Sequence, residues 1–150
     1  MMSETAREVY RLLREAQNKH TYFLLATAGA AIALTVNQSQ GAAMTWYQIP
    51  LAVGVLSWGL SFFFGCRYVS YINSALYANA VLLQVQSGQH PEVGTHPQMM
   101  AAASEGIRQA IESNSEHANR LGHLQFRLLV AGAVLYIVWH ILEMYLRSGS

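Results

Sequence analysis

Residues 20–66, HTYFLLATAGAAIALTVNQSQGAAMTWYQIPLAVGVLSWGLSFFFGC, contain no Asp, Glu, Lys or Arg. A water-facing surface needs charged side chains at intervals, so an uncharged run of this length is solvated more naturally by lipid than by water. The silence extends further, because Arg67 is the single formal charge between Lys19 and Glu92. The expected fold class is therefore an all-α membrane protein. With 53% hydrophobic and 11% charged residues the composition alone would also suit a greasy soluble domain, so the distribution decides.

Three apolar segments stand out, Thr21–Val36, Trp46–Cys66 and Leu128–Leu146. A hydrocarbon layer of about 30 Å takes roughly 20 helical residues, so each is near spanning length, and the first borrows Asn37 and Gln38 to reach it. The expected organisation is an N-terminal helix over residues 1–20, a first span at 21–38 and a second at 46–66 that runs on as helix to about 87. A turn at 88–97 and a helix at 98–127 then lead into a third span at 128–146, with a short tail at 147–150. Glu4, Arg7, Glu8, Arg11, Arg14, Glu15 and Lys19 mark the first element as amphipathic, with Val9, Leu12, Leu13 and Ala16 on its apolar side and Thr5 and Glu8 in a capping-box pattern. That mixed charge departs from the layout of a cleaved signal peptide.

Arg and Lys near membrane ends stay on the cytoplasmic side. Arg7, Arg11, Arg14 and Lys19 precede the first span, the connection Asn37–Thr45 has no positive residue, and Arg67, Arg108, Arg120 and Arg127 lie between spans two and three. The expectation is a bacterial inner-membrane protein with the N-terminus inside, the long middle segment inside and the C-terminus outside. Trp46, Tyr47, Trp139 and Tyr145 would mark the outer interface, and Tyr22, Phe62, Phe63, Phe64 and Tyr68 the inner one.

Gly88, Pro91, Gly94 and Pro97 cluster in the only break after Cys66, so the middle segment is expected to be a long cytoplasmic helical hairpin. On the returning arm Met100, Ala103, Ile107, Ile111, Asn114, Ala118, Leu121 and Gln125 recur at steps of three and four, which is the spacing of an inward seam. Glu105, Arg108, Glu112, Glu116 and Arg120 form a solvated stripe opposite it. The outgoing arm, Tyr68–Gln86, has no charge. Val69, Ile72, Leu76, Ala80 and Leu83 are expected to face the returning arm, which leaves Tyr71, Tyr77, Val81, Leu82 and Val85 to be covered by something else. Neighbouring copies of the chain are the favoured cover, a cytoplasmic protein partner or the N-terminal helix the alternatives.

Small-residue faces at Ala26 with Ala30, Gly29 with Ala33, and Ser57, Ser61 with Gly65 would let helices approach closely, within the chain or between copies. The candidate oligomer interface is accordingly Ala26, Gly29, Ala30, Ala33, Ser61, Gly65, Tyr71, Tyr77 and Val81. Candidate polar lining of a conduit is Asn73, Asn79, Gln84 and Gln86 in an uncharged vestibule. His140 and Glu143, three apart inside the third span, would narrow its outer end.

Enzyme chemistry is not expected, since the chain has no Asp, no phosphate-binding glycine loop, no paired cysteines and a lone Cys66. Arg14 and His20 lie at a spacing similar to the Arg/His pair of HEPN-type ribonucleases, and no other residue follows that pattern. No cofactor is expected, the alternative being a haem- or metal-binding subunit with His20 and His123 as axial ligands. The expected partners are the lipid bilayer and further copies, without nucleic acid, because the net charge is only +1 and basic residues alternate with Glu. In topology alone the chain resembles holins and membrane-disrupting effectors of prokaryotic defence. The function expected is thus an oligomeric pore or channel-like assembly, with a non-enzymatic membrane adaptor as its alternative.

Overall fold

The structure, a computed structural model, describes residues 4–40 and 45–148, with the side chains at 4–7, 9–10 and 13–14 outside the description. The Thr5 capping box and the apolar positions Val9 and Leu13 lie outside the described residues, as do the last two residues of the tail. Three α-helices, α1 (Glu4–Gln38), α2 (Ile49–Gln86) and α3 (Pro97–Ser148), make up nearly all of the rest, and no strand occurs among the described residues. Two helical stretches, Trp46–Gln86 and Pro97–Ser148, are long and apolar enough to cross a membrane.

Local chemistry sets the helix ends. A single 3₁₀ turn, Trp46–Gln48, leads into α2, and Pro50 sits in the first turn, where its missing N–H removes a donor that has no helical acceptor. At the other end of α2 the Gly88 N–H donates to the Val85 carbonyl at 3.1 Å and the Gln89 N–H to the Gln84 carbonyl at 3.0 Å. With Gly88 at φ +68° this is a Schellman stop, a conformation that costs little only without a Cβ. Pro97 then occupies the first position of α3.

The chain forms two compact units, Met1–Gly65 with Leu124–Ser150, and Cys66–His123, so α2 and α3 contribute to both. In the first unit α1 buries Thr21, Leu24, Ala28 and Thr35 in one line at helical spacing. The described side chains before it, including Leu12 and residues 15–20, are exposed. In that segment the Lys19 ammonium, 2.8 Å from Glu15, holds the Glu15 carboxyl below its ordinary range.

Helices α2 and α3 meet in the first unit through small residues. A Cβ on Gly54 would stand 3.2 Å from the Gly132 carbonyl oxygen, and one on Gly132 would stand 2.5 Å from Trp58 Nε1. This proximity lets two α2 side chains reach the α3 backbone: the Trp58 indole N–H donates to the Leu129 carbonyl at 3.1 Å and the Ser61 hydroxyl to the Gln125 carbonyl at 2.8 Å. Trp139, expected at the outer interface, is instead buried beside Tyr136, whose ring also lies 6.0 Å from Trp58.

In the second unit the α3 seam positions from Met100 to Leu121 are half-buried or buried. The α2 face matches the expected one in part. Val69, Ile72 and Leu76 are half-buried, as are Tyr68, Tyr71, Ala75 and Ala78, whereas at the far end Leu82 and Val85 are buried and Ala80 and Leu83 exposed. Tyr68 packs 3.4 Å from where a Cβ on Gly122 would be, and Tyr71 stacks on His117 at 5.4 Å between ring centroids, so both tyrosines join the inner side of α2.

Candidate functional site: the charge-free face of α2

Along α2 in the second unit Ser70, Asn73, Ser74, Tyr77, Ala80, Leu83 and Gln84 are exposed. Tyr77 is 75% exposed and Leu83 61% exposed, although no ionisable group other than tyrosine lies on α2 between Arg67 and Gln86. The facing arm of the same unit carries its charges outward, with Glu105, Arg108, Glu112, Glu116 and Arg120 all exposed. One side of the second unit is therefore charged and the other is uncharged, aromatic and amide-bearing. An exposed surface of the second kind is suited to burial against another uncharged surface, since no ion has to be stripped of water.

The expected lining residues divide on this geometry. Asn73, Gln84 and Gln86 are exposed and Asn79 is half-buried. Arg67, at the start of the face, lies over the Tyr71 ring at 5.3 Å from its centroid, with one guanidinium nitrogen 3.4 Å from the Tyr71 hydroxyl. His117, beneath Tyr71, keeps a ring nitrogen 2.7 Å from the Ser113 carbonyl.

His140 and Glu143 have separate partners. The Glu143 carboxylate accepts from the Arg147 guanidinium at 2.7 Å, and His140 is exposed with its ring parallel to Tyr136 at 6.4 Å. The Tyr136 hydroxyl in turn donates to Gln38 Oε1 at 2.8 Å, which ties the end of α1 to α3. Sequence reasoning missed this aromatic group of Trp58, Tyr136, Trp139 and His140. Its signal was spacing, because Tyr136, Trp139 and His140 stand three and four apart on one helical face.

Of the expected interface residues, Ala26, Ala30, Ala33 and Tyr77 are exposed, and Gly29 and Val81 half-buried. Gly29 has nothing within 4 Å of where its Cβ would stand. Ser61 and Gly65 are buried inside the chain, where Ser61 bonds to Gln125 and Gly65 leaves room for the side chains of Gln125 and Leu25. Tyr71 is committed to His117. Those three are engaged within the chain by contacts that a second copy would have to replace.

Among the described residues the first unit holds three buried polar atoms without a partner. Gln125 is only 1% exposed and its Nε2 has no hydrogen-bond partner, as is also true of Trp139 Nε1 and Thr45 Oγ1. Among the described residues no three His, Cys, Asp or Glu side chains are grouped as a metal site requires, and the Cys66 thiol is exposed. Beside Thr45 an apolar groove of about 500 Å³ opens between the end of α1 and the start of α2. Comparison with protein-family models, with curated protein sequences and with solved structures gives no match to this chain.

Proposed function

We propose that the chain is a non-enzymatic integral membrane protein whose copies assemble into a pore or channel-like ring. The observation that carries this reading is the exposed, charge-free face of α2 at Asn73, Tyr77 and Gln84, opposite an α3 face that keeps its charges in water. Copies would bury the first face against one another and around a central axis, leaving the second outside.

Membrane insertion draws support from the apolar segments of the first unit, whose outside is apolar where that of a water-soluble domain would be polar. Its interior includes Thr21, Thr35, Ser61 and Gln125, while Leu34, Leu56, Leu60, Phe63, Val134 and Ile137 face outward. In lipid such an outside costs nothing, and interior hydroxyls and amides hold helices together where no hydrophobic drive exists between them. On this reading α1 supplies the first span through residues 21–38, and α2 and α3 supply the second and third. The Cys66–His123 unit stands on the cytoplasmic side, the C-terminus outside.

The test is direct. Chain purified in mild detergent should give a discrete copy number above one by native mass spectrometry, and after reconstitution it should release a vesicle-trapped dye or pass current across a planar bilayer. A strictly monomeric chain that is silent in both assays would refute the assembly. A tight one-to-one complex with a cytoplasmic protein and no leakage would favour a membrane adaptor using the same face.

A further inference from the structure

Away from its own chain, α1 carries a second line with a period. Thr21, Ala28 and Thr35, seven residues apart, form its buried line, with Leu24 beside them. On the opposite side Val9, Leu12, Ala16 and Lys19 follow at steps of three, four and three, and Phe23, Ala26, Ala30 and Ala33 continue the alternation. Every described side chain of that line is exposed, Leu12 at 54% and Phe23 at 66%. Since α1 is one helix from Glu4 to Gln38, the two lines are fixed to each other. At about 100° per residue the middle of the exposed line lies roughly 170° from the buried one, so α1 cannot turn both toward its own chain.

The repeat identifies what fits against it. Apolar residues at the first and fourth places of a heptad, kept over about four heptads, are the pattern of helices that pair side by side. Lys19 is the exception, and its ammonium is ion-paired to Glu15 on its own helix at 2.8 Å. Bulk solvent does not account for the line, whichever solvent is chosen. On the membrane reading Leu12 stands on the cytoplasmic side, where lipid does not reach, and Phe23 stands within the span, where water does not. A helix running alongside α1 covers both, and the three alanines let it approach closely within the bilayer. A second α1 meets each requirement: the same length, the same period and, because copies insert in one direction, the same depth at every position.

From this geometry we infer that α1 pairs in parallel with α1 of a second copy along Leu12, Ala16, Phe23, Ala26, Ala30 and Ala33. The inference rests on the membrane assembly proposed above and deepens it. Beside the charge-free face of α2, the outer side of α1 supplies a separate contact, which joins copies in twos about an axis along the membrane normal.

The experiment uses the full chain with Cys66→Ser, purified, reconstituted into vesicles and oxidised with copper phenanthroline after single cysteines have been introduced. Leu12→Cys, Ala26→Cys and Ala33→Cys should give covalent dimer several-fold above Arg11→Cys and Asn18→Cys, which are exposed on the same helix but off the line, and above Ile137→Cys on α3. Adding Ala30→Trp, a bulky ring at an exposed position, should lower the Ala26→Cys dimer to the level of those controls. Equal yields on and off the line, no dimer at any position, or a dimer that survives Ala30→Trp undiminished would overturn the pairing of α1. If such chain floats with the vesicles and keeps a copy number above one by native mass spectrometry, assembly through the α2 face still stands. A strictly monomeric chain would overturn both.

Discussion

Replacing Gly132 by alanine probes one of the two tightest glycine positions among the described residues, Gly65 being the other. The added Cβ would stand 2.5 Å from Trp58 Nε1 and 2.6 Å from its Cδ1, and the ring has no flexible end to yield. Trp58 is buried and bonded to the Leu129 carbonyl, so the ring must shift and loosen that bond, or α3 must move outward. Overpacking of this kind costs about 1–3 kcal/mol and loss of the indole hydrogen bond about 0.5–1.5, against a helix-propensity gain of about 1 for leaving glycine. The expected net effect is about 1–3 kcal/mol of destabilisation, a fall in melting temperature of roughly 2–10 °C for a chain of this size. Gly106→Ala is the control, because nothing lies within 4 Å of its Cβ position, and it should raise the melting temperature. Differential scanning fluorimetry of the detergent-solubilised variants reads both signs. Trp58→Leu removes the clashing ring, so combining it with Gly132→Ala should cost less than the sum of the two. Additive effects, or a Gly132→Ala melt that rises with the control, would refute close packing of Trp58 on Gly132.

Three further substitutions separate the levels of the structure. A Cβ at Gly29 meets nothing within 4 Å in the chain, so Gly29→Ala should hold or raise the melting temperature of the monomer while the copy number in mild detergent falls; an unchanged copy number would remove the α1 face from the proposed interface. Tyr77→Glu puts a charge on the exposed face of α2 and should suppress dye release from vesicles, whereas wild-type leakage would show that this face stays in water in the assembly. Gly88→Ala forces a Cβ into the φ +68° stop of α2 and should cost about 1–2 kcal/mol, seen as faster amide exchange at Ser87–Gln89; unaltered exchange would contradict the Schellman geometry.

The helical class was legible because apolar runs are long, and the residues punctuating them, Gly88 and Pro97, act through their own backbone chemistry. The inward seam of α3 was also legible, since Ile107, Ile111, Ala118 and Leu121 repeat at a period that only one face of a helix can satisfy. The matching face of α2 was legible only in part. From Val69 to Val85 almost every position is apolar or uncharged, so hydrophobicity has no sharp period to read; Val69, Ile72 and Leu76 lie half-buried as expected, whereas Leu82 and Val85 take the buried places at the far end in place of Ala80 and Leu83. The same reason hid the roles of Ser61 and Gly65. Small residues mark close approach but not the partner, and the bond from Ser61 to Gln125 joins positions 64 apart in sequence. Nothing in the spacing of His140 and Glu143 predicted that Arg147, one turn further on, would hold the carboxylate.

These contacts constrain where any conduit can run. Between α2 and α3 in the first unit, glycines bring backbone within van der Waals range and Trp58, Ser61 and Gln125 fill what remains. That seam has no room for an ion and its water, and widening it would sever both hydrogen bonds to the α3 backbone. A pathway along this seam is therefore closed, and on the proposed reading conduction would pass between copies, along faces that one chain leaves uncovered. On the second unit that face presents amides and a phenol, with Arg67 at its start as the one ionised side chain. Near the end of α3 the Glu143 carboxylate is already neutralised by Arg147 at 2.7 Å. A ring built from the second unit's face would carry uncharged groups at Asn73 and Gln84 and one guanidinium per copy at Arg67, so any preference by sign would come from Arg67.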